Sequence, residues 1–373
     1  MKPKVLVIID SKKLGGPGRG LLQIAERASD YSFDFSLVNF QYSTGSTEFI
    51  DSASQRGIPL HLLKQRKSID PSPIWQTVKL IRCRGFNIIQ SHGYKGHVIA
   101  LIASRLCGVP WISVSHGWTN EDRKIKIYNA IERWLLRWAD ASIAVSKALY
   151  AEIKAIRGDH RLTLLISNSV DLHQLKQNSC GHNVRQTLGM PPDTTLLGVF
   201  GRLSQEKGQD LMLKALSQND LGFNGVHVLF VGSGPWNKYL QEMAAQLNLS
   251  KRVHFVGHQP GMMDYYSAID LLVLPSRSEG MPNVILEACA IGKPILATNV
   301  GDVSEVIEHG INGWLYSPES VESLIDALID VLEQKERWSE IGAVASRSIF
   351  PKFSPTCRVS RFFDLYNEIL KNA

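Results

Sequence analysis

Residues 271–301, LLVLPSRSEGMPNVILEACAIGKPILATNVG, decide the fold of this 373-residue chain. The apolar run Leu271 to Leu274 has the length of a buried strand. A loop of small residues follows, an apolar helix opens at about Asn283, and Pro294 to Ala297 supplies a second buried strand. Together they make a βαβ unit, which calls for a parallel sheet. Two carboxylates stand out within it. Glu279 sits in the loop at the carboxyl end of the first strand, and Glu287 falls among Val284, Ile285, Leu286, Ala288, Cys289 and Ala290, neighbours that predict burial. A buried acid is costly without a partner. Gly280, Met281, Pro282 and Asn283 lead into the helix, whose first N–H groups can therefore face an anion such as a phosphate. The plainer alternative is a helix capped by Asn283 with Glu287 tied internally to an arginine.

Working outward, the second half of the chain repeats the strand–helix alternation, with strands at Thr195 to Phe200, Val226 to Val231 and Val253 to Val256. The first of these runs into Gly201-Arg202-Leu203-Ser204-Gln205-Glu206-Lys207-Gly208 and then a helix. Arg202 offers a planar fork and Lys207 a point charge, both suited to diphosphate oxygens at a helix N-terminus. Alone, such a pair is more often a solvated surface patch. Lys176 to Asp193 is polar, ends in Met190-Pro191-Pro192, and reads as a linker; Thr356 to Lys371 reads as a closing helix after FPKFSP.

The first half alternates in the same way, with strands at Val5 to Ile9, Phe35 to Asn39, Asn87 to Gln90, Trp111 to Ser115, Ala141 to Val145 and Leu162 to Ile166. That pattern predicts a second parallel sheet covered on both faces. A glycine loop (Leu14 to Gly20) separates its first strand from a helix beginning near Leu21, a layout in which backbone can approach a ligand, although a tight turn without a ligand fits equally. It matches neither the dinucleotide fingerprint nor the P-loop. His92 and His116 each follow a strand closely, which puts them on the sheet edge where ligands bind. Between Glu121 and Trp138, Ile127, Ile131, Trp134, Leu135 and Trp138 recur at helical spacing with Lys124, Lys126, Arg133 and Arg137 between them. The preferred reading is a helix packed by that stripe on its own domain; the other is a basic amphipathic helix resting on anionic lipid.

Length predicts two domains, and the charged and apolar fractions are those of a globular protein. Five scattered cysteines (Cys83, Cys107, Cys180, Cys289, Cys357) without C-x-x-C spacing predict reduced thiols, a cytoplasmic setting and no zinc site. The apolar part of MKPKVLVIID is too short for a signal peptide, and no apolar run reaches the length of a membrane span. The net charge of +6 is unevenly divided: residues 1–180 hold 25 Lys/Arg against 14 Asp/Glu, the remainder 16 against 21. One half therefore suits an anionic surface or ligand. Its cations are dispersed and carry no nucleic-acid reading motif, which argues against nucleic acid as a partner.

GRLSQEKG followed by Glu-x7-Glu (Glu279 and Glu287) resembles the nucleotide-sugar site of retaining family 4 glycosyltransferases of GT-B fold. The resemblance runs over most of the chain, through the Gly15-Gly16 loop, SHGYKGH, SVSHGW, ISNSVD and VGSGP in family order. The chain departs from it at Gly301-Asp302-Val303-Ser304-Glu305, where Gly-Gly-x-Pro-Glu is frequent, and at Pro17 and Gly18, where an Ala-Glu pair is common. The resemblance implies an α/β protein of two Rossmann-like domains facing each other across a cleft. Residues 1–180 would form the acceptor side and 181–355 the nucleotide-sugar side, with 356–373 a helix returning to the first domain. Arg202 and Lys207 would hold the donor diphosphate, and Glu287 the ribose. Glu279 would lie near the transferred sugar, with Gly280, Met281, Pro282 and Asn283 around its hydroxyls and the phosphate. His116 would touch the sugar, Gly16 the phosphates, and Val256 and His258 would flank the base. His92, Tyr94 and Lys95 would line the acceptor side.

A UDP-sugar donor, a saccharide or lipid-linked acceptor and retention by front-face attack follow from the same resemblance. The basic first half makes a lipid-phosphate-linked or anionic saccharide acceptor plausible and leaves peripheral contact with an anionic membrane open. No Asp-x-Asp pair occurs, so transfer is expected without a metal or other cofactor, Arg202 and Lys207 standing in for the ion. Rival readings are a nucleotide-sugar epimerase or hydrolase on the same fold, and a non-catalytic protein that binds membrane or polyanion.

Overall fold

The computed structural model describes residues 2–42, 45–66, 70–118, 123–177, 183–191, 193–218, 223, 225–318 and 320–372. The chain forms two compact units, Met1–Asn168 with Pro355–Ala373, and Ser169–Ser354.

In the first unit the chain runs β1 (Lys4–Ile8), α1 (Gly16–Glu26), β2 (Asp34–Phe40), α2 (Glu48–Gln55), β3 (Leu60–Leu63), α3 (Ser72–Arg84), β4 (Ile88–His92), α4 (Gly93–Cys107), β5 (Trp111–Ser115), α5 (Arg123–Leu136), β6 (Ala141–Ala144), α6 (Lys147–Arg157) and β7 (Thr163–Leu165). The strands form one parallel sheet in the order β3-β2-β1-β4-β5-β6-β7. Successive side chains on a strand point to opposite faces, and β4 shows it: Ile88 joins an apolar cluster with Leu21, Leu22, Phe362 and Tyr366, whereas Ile89 joins Val78, Ile81, Ile99 and Ala103 on the other side.

In the second unit the order is α7 (Leu172–Gln177), α8 (Val184–Thr187), β8 (Thr195–Phe200), α9 (Gln209–Leu216), β9 (Val226–Val231), α10 (Asn237–Gln246), β10 (Val253–Phe255), α11 (Met262–Ala268), β11 (Leu271–Leu274), α12 (Asn283–Ala290), β12 (Ile295–Thr298), β13 (Trp314–Tyr316), α13 (Val321–Glu333) and α14 (Trp338–Ser348). Its parallel sheet reads β10-β9-β8-β11-β12-β13. A last helix, α15 (Pro355–Lys371), belongs to the first unit, where Val359, Phe362, Phe363 and Tyr366 are buried against its sheet.

Five expectations need correction. Strands β3 and β13 are absent from the sequence reading; both are short edge strands, too brief to show a period. Helix α1 starts at Gly16, not Leu21, so the glycines form its first turns: a Cβ on Gly18 would stand 3.0 Å from the Phe49 ring and one on Gly20 1.9 Å from Arg358 Nη1. The boundary lies at 168/169 rather than 180/181, because Val170 donates to Phe353 O and is buried with Leu175 in the second unit's core. Residues 178–182 and 192 of the expected linker lie outside the described residues, but the stretch after them is docked. Val184 is buried, and the Arg185 guanidinium donates to Ala268 O (2.7 Å), Thr194 O (3.0 Å) and the Asp270 carboxylate (2.6 Å).

The fifth concerns α5. Of the expected inward stripe only Leu135 is buried; Ile127, Ile131, Trp134 and Trp138 are exposed. The helix carries two apolar rows, and the inner one is Leu135, Leu136 and Ala139 with Glu132, whose carboxylate accepts from Ser115 Oγ at 3.2 Å. Periodicity finds rows of this kind but does not say which one meets the sheet. Residues 121 and 122 and the side chain of Lys124 lie outside the described set, as does Cys180; Cys83, Cys107, Cys289 and Cys357 form no disulfide among the described residues.

Because α15 fills the first unit's core with aromatic rings, Phe362→Ala should destabilise that unit by about 3–5 kcal/mol. Urea unfolding should show one transition shifted to lower denaturant; an unchanged curve would mean that α15 is dispensable to the core.

Candidate functional site

The polar residues of the second unit gather where its sheet reverses direction. β8 and β11 are neighbours, yet their connections lead to opposite halves of the sheet, the arrangement in which a crevice opens at the carboxyl ends of the strands. The loop after β8 carries Arg202, Glu206 and Lys207, and the loop after β11 carries Ser276, Arg277 and Glu279.

Backbone packing holds these loops together. Gly208 adopts φ +66°, and a Cβ there would stand 1.9 Å from Pro275 O; Gly301 adopts φ +58°, with a Cβ position 2.2 Å from Glu279 O. Only glycine meets both demands at either place. Arg277 N–H donates to Glu206 O (2.8 Å), Asp302 N–H to Gly280 O (2.9 Å), and the Arg277 guanidinium forks onto buried Asp210 with two 2.7 Å bonds.

Within this frame Lys207 Nζ lies 2.7 and 2.8 Å from the two Glu279 oxygens, and Ser276 Oγ donates to Oε1 at 2.6 Å. The Glu279 side chain is 5% exposed and that of Lys207 24%. Arg202 pairs with Glu206 at 2.6 Å, and Ser204 Oγ donates to the same carboxylate oxygen at 2.7 Å. Partial burial pushes the Glu206 carboxyl up, but the bonds from Ser204 and Arg202 outweigh it and hold the group below its usual range.

On α12, Asn283, Val284 and Glu287 form a half-exposed face while Ile285, Leu286, Ala288 and Cys289 are buried. Glu287 is therefore not buried as its neighbours in sequence suggested; the helical turn of 3.6 residues brings it round to the open side. Tyr266 Oη, itself fully buried, donates to Glu287 Oε2 at 2.8 Å. Among the described residues no side chain caps α12: the residue before it is Pro282, and Asn283 is its first helical residue, with a buried Oδ1 that has no partner among them. Met281 and Pro282 are buried and Gly280 is half-buried. Val256 and His258 follow β10, two strands away from β8; Val256 O accepts from Gln259 Nε2 at 2.6 Å, and His258 is exposed.

The first unit shows the same reversal between β1 and β4. Gly16 is the half-buried first residue of α1. His116, just past β5, is half-buried, with Nε2 2.9 Å from His92 Nδ1. Burial pushes the His116 pKa down to about 4, helped by the Arg358 charge and opposed by Glu132. His92, expected to line the acceptor side, is 5% exposed with both ring nitrogens engaged, the second by Gln90 Nε2 at 2.9 Å; it supports His116 from beneath. Tyr94 stacks on Tyr128 with centroids 4.2 Å apart, and burial pushes its pKa up to about 12. Lys95 is half-buried, bonded to Asp10 at 3.0 Å with its ammonium over the Phe40 ring.

Sequence reasoning missed Ser276, Tyr266, Arg277 with Asp210, and the group Gln90, Tyr366 and Arg358. The last three left a trace: Gln90 and His92 are alternate polar residues on a buried strand, and Arg358, Phe362 and Tyr366 fall at four-residue spacing on the inner face of α15.

Residues 14–174 match the family described as Glycosyltransferase Family 4, and residues 182–346 that described as glycosyl transferases group 1. The UDP-Gal:alpha-D-GlcNAc-diphosphoundecaprenol alpha-1,3-galactosyltransferase of Escherichia coli is 27% identical over 96% of this chain and 95% of its own. The lipopolysaccharide core biosynthesis mannosyltransferase LpsB of Rhizobium meliloti is 28% identical over 57% of this chain and 60% of its own. Among solved structures, Anabaena HepE in complex with UDP-glucose superposes with a TM-score of 0.82 at 24% identity, covering 98% of this chain and 99% of that one. Two parallel α/β units matching these two families in succession over most of its length make this chain a member of the family 4 glycosyltransferases of GT-B fold, an enzyme that transfers sugars.

Proposed function

We propose that the protein transfers a hexosyl group from a UDP-sugar to a saccharide or lipid-diphosphate-linked acceptor, with retention of anomeric configuration and without a metal ion. The observation that carries the donor part is the clustering of Arg202 and Lys207 with Glu279 and the uncapped start of α12 at the β8–β11 reversal. Departure of UDP builds negative charge on the β-phosphate, and fixed cations with helix-end N–H groups stabilise such charge. Each cation already holds a carboxylate, Glu206 on Arg202 and Glu279 on Lys207. An arriving diphosphate would take over part of these contacts, so the acids keep the cations in position while the site is empty. Glu287, turned to the open side of α12 and bonded to Tyr266, suits a ribose hydroxyl pair. Val256 and His258 would flank the base, Gly16 would approach the phosphates, and His116 would contact the sugar. Retention is supported by the resemblance of the motif pair, and the leaving phosphate would take the acceptor proton.

The acceptor part is supported by the E. coli relative, whose name specifies UDP-Gal and a diphosphoundecaprenol-linked acceptor. A lipid-linked acceptor brings the enzyme to a membrane surface. No helix among the described residues is long and apolar enough to cross one. The outer row of α5, Ile127, Ile131 and Trp134, is exposed, as are Trp138 just past its end and Ile102 and Leu106 on α4, which packs against α5, with Lys126, Arg133 and Arg137 also exposed. Apolar and aromatic side chains interleaved with cations suit peripheral contact with an anionic bilayer on the cytoplasmic side.

Three outcomes are expected. Lys207→Ala should reduce kcat/KM with UDP-sugars by about 100- to 1000-fold. Combining it with Glu279→Gln should recover thermal stability by removing the uncompensated acid, but not turnover; recovery of both would make the pair purely structural. Turnover should survive excess EDTA, and a loss restored by a divalent cation would refute metal independence. Flotation with phosphatidylglycerol liposomes at low salt should carry the protein upward, and Trp134→Ser with Trp138→Ser should abolish this without shifting the melting temperature. Equal flotation of the double variant would place lipid contact elsewhere.

A further inference from the structure

We propose that a hydrogen-bond relay rising from the C-terminal helix holds His116 as a neutral imidazole with its proton on Nδ1, a fixed donor to a substrate oxygen and not a base. That a substrate oxygen reaches His116 rests on the functional reading above; the protonation pattern does not.

The relay starts at Tyr366 on α15, fully buried, whose hydroxyl has one acceptor among the described residues, Gln90 Oε1 at 2.6 Å. This leaves the Gln90 amide nitrogen facing His92 Nε2 at 2.9 Å. An amide nitrogen has only hydrogens to offer, so His92 Nε2 supplies a lone pair and the single proton of the neutral ring sits on Nδ1. That proton points at His116 Nε2, 2.9 Å away, which must accept. The remaining proton of a neutral His116 is then on Nδ1, an atom with no hydrogen-bond partner among the described residues. Reversing the chain would require Gln90 to turn over and present its NH2 to Tyr366. The buried phenolic proton would then lack an acceptor among the described residues, since the Arg358 guanidinium offers none, and a buried donor left unpaired is disfavoured.

Charge keeps the pattern from collapsing. A second proton on His116 would set its Nε2–H against His92 Nδ1–H across their 2.9 Å contact, and a second proton on His92 would set its Nε2–H against the Gln90 amide N–H across the other. Arg358, 6% exposed and with no carboxylate partner among the described residues, bears on both rings; His97 adds to its effect, and Glu132 alone opposes it at His116. His116 therefore presents an N–H that feels the positive charge of the buried Arg358 guanidinium, which selects an electron-rich oxygen, a sugar hydroxyl or a phosphate oxygen. A proton released by the acceptor must be taken up elsewhere. Gln90, His92 and Tyr366 are positioning residues, all on the face of the sheet that α15 covers, because Gln90 and His92 alternate along β4 and His116 follows Val114 with the same parity on β5.

Long-range proton–nitrogen correlation spectra of the full-length protein labelled in histidine, with His116 assigned by His116→Gln, test this directly. Near neutral pH His116 should carry its proton on Nδ1 and stay unprotonated on Nε2. A proton on Nε2, or an imidazolium, would overturn the proposal whether or not any UDP-sugar is turned over. Tyr366→Phe removes one oxygen; it should give mixed His116 tautomers and lower kcat about tenfold with little change in KM. Unchanged spectra and kcat in a folded Tyr366→Phe protein would also overturn the proposal. Should that variant not fold, the spectrum of the unaltered protein decides alone.

Discussion

The contact between the Lys207 ammonium and both oxygens of Glu279 sets the arrangement of the second unit's site. With 5% of its side chain exposed, the Glu279 carboxylate has little access to water, and among the described residues Lys207 and Ser276 bond to it. To bring these three together the loops after β8 and β11 must touch along their backbones, which is why glycine stands at 208 and 301 and why Arg277 reaches across to Asp210. The pairing thus fixes where the Lys207 ammonium sits.

The first unit solves a different problem. Its sheet edge presents a histidine, and an imidazole in water has no fixed proton position. Burying Gln90, His92 and Tyr366 in series converts an ambiguous ring into a directed donor, because each buried group must find a partner and only one order satisfies all of them. The element that imposes this order is the last helix of the chain, hundreds of residues from β4 in sequence and adjacent to it in space. Helix α15 therefore serves both as core, through its aromatic rings, and as the source of the polar chain beneath His116. Helix α5 shows the reverse economy of side chains: its inner row is narrow and includes an acid, and its bulkiest apolar residues remain outside.

Much of this was legible in advance. Alternating buried runs and glycine-rich connections announce parallel sheets, and polar groups after strand ends announce where a ligand would lie, because parallel strands place their carboxyl ends on one edge. The strands that escaped notice, Leu60–Leu63 and Trp314–Tyr316, are too short for a period to be seen. Glu287 looked buried because six apolar neighbours surround it in sequence, and a helix distributes those neighbours around its axis. His92 and Lys95 follow a strand end in the sequence, and the structure adds their partners, Gln90 on the same strand and Asp10 just after β1.

By itself the amino-acid sequence determined the two α/β halves, the family resemblance and the identity of the cations and acids after β8 and β11, since these depend on local pattern and on residues close to one another along the chain. Only the tertiary structure decided which carboxylate each cation holds, that the chain passes to its second unit at 168/169, that α5 turns its tryptophans outward, and that Tyr366 reaches Gln90. The reason is geometric: hydrophobic period reports that a helix or strand has a buried side, but which groups meet there is settled when separate elements pack and every buried donor must find its acceptor.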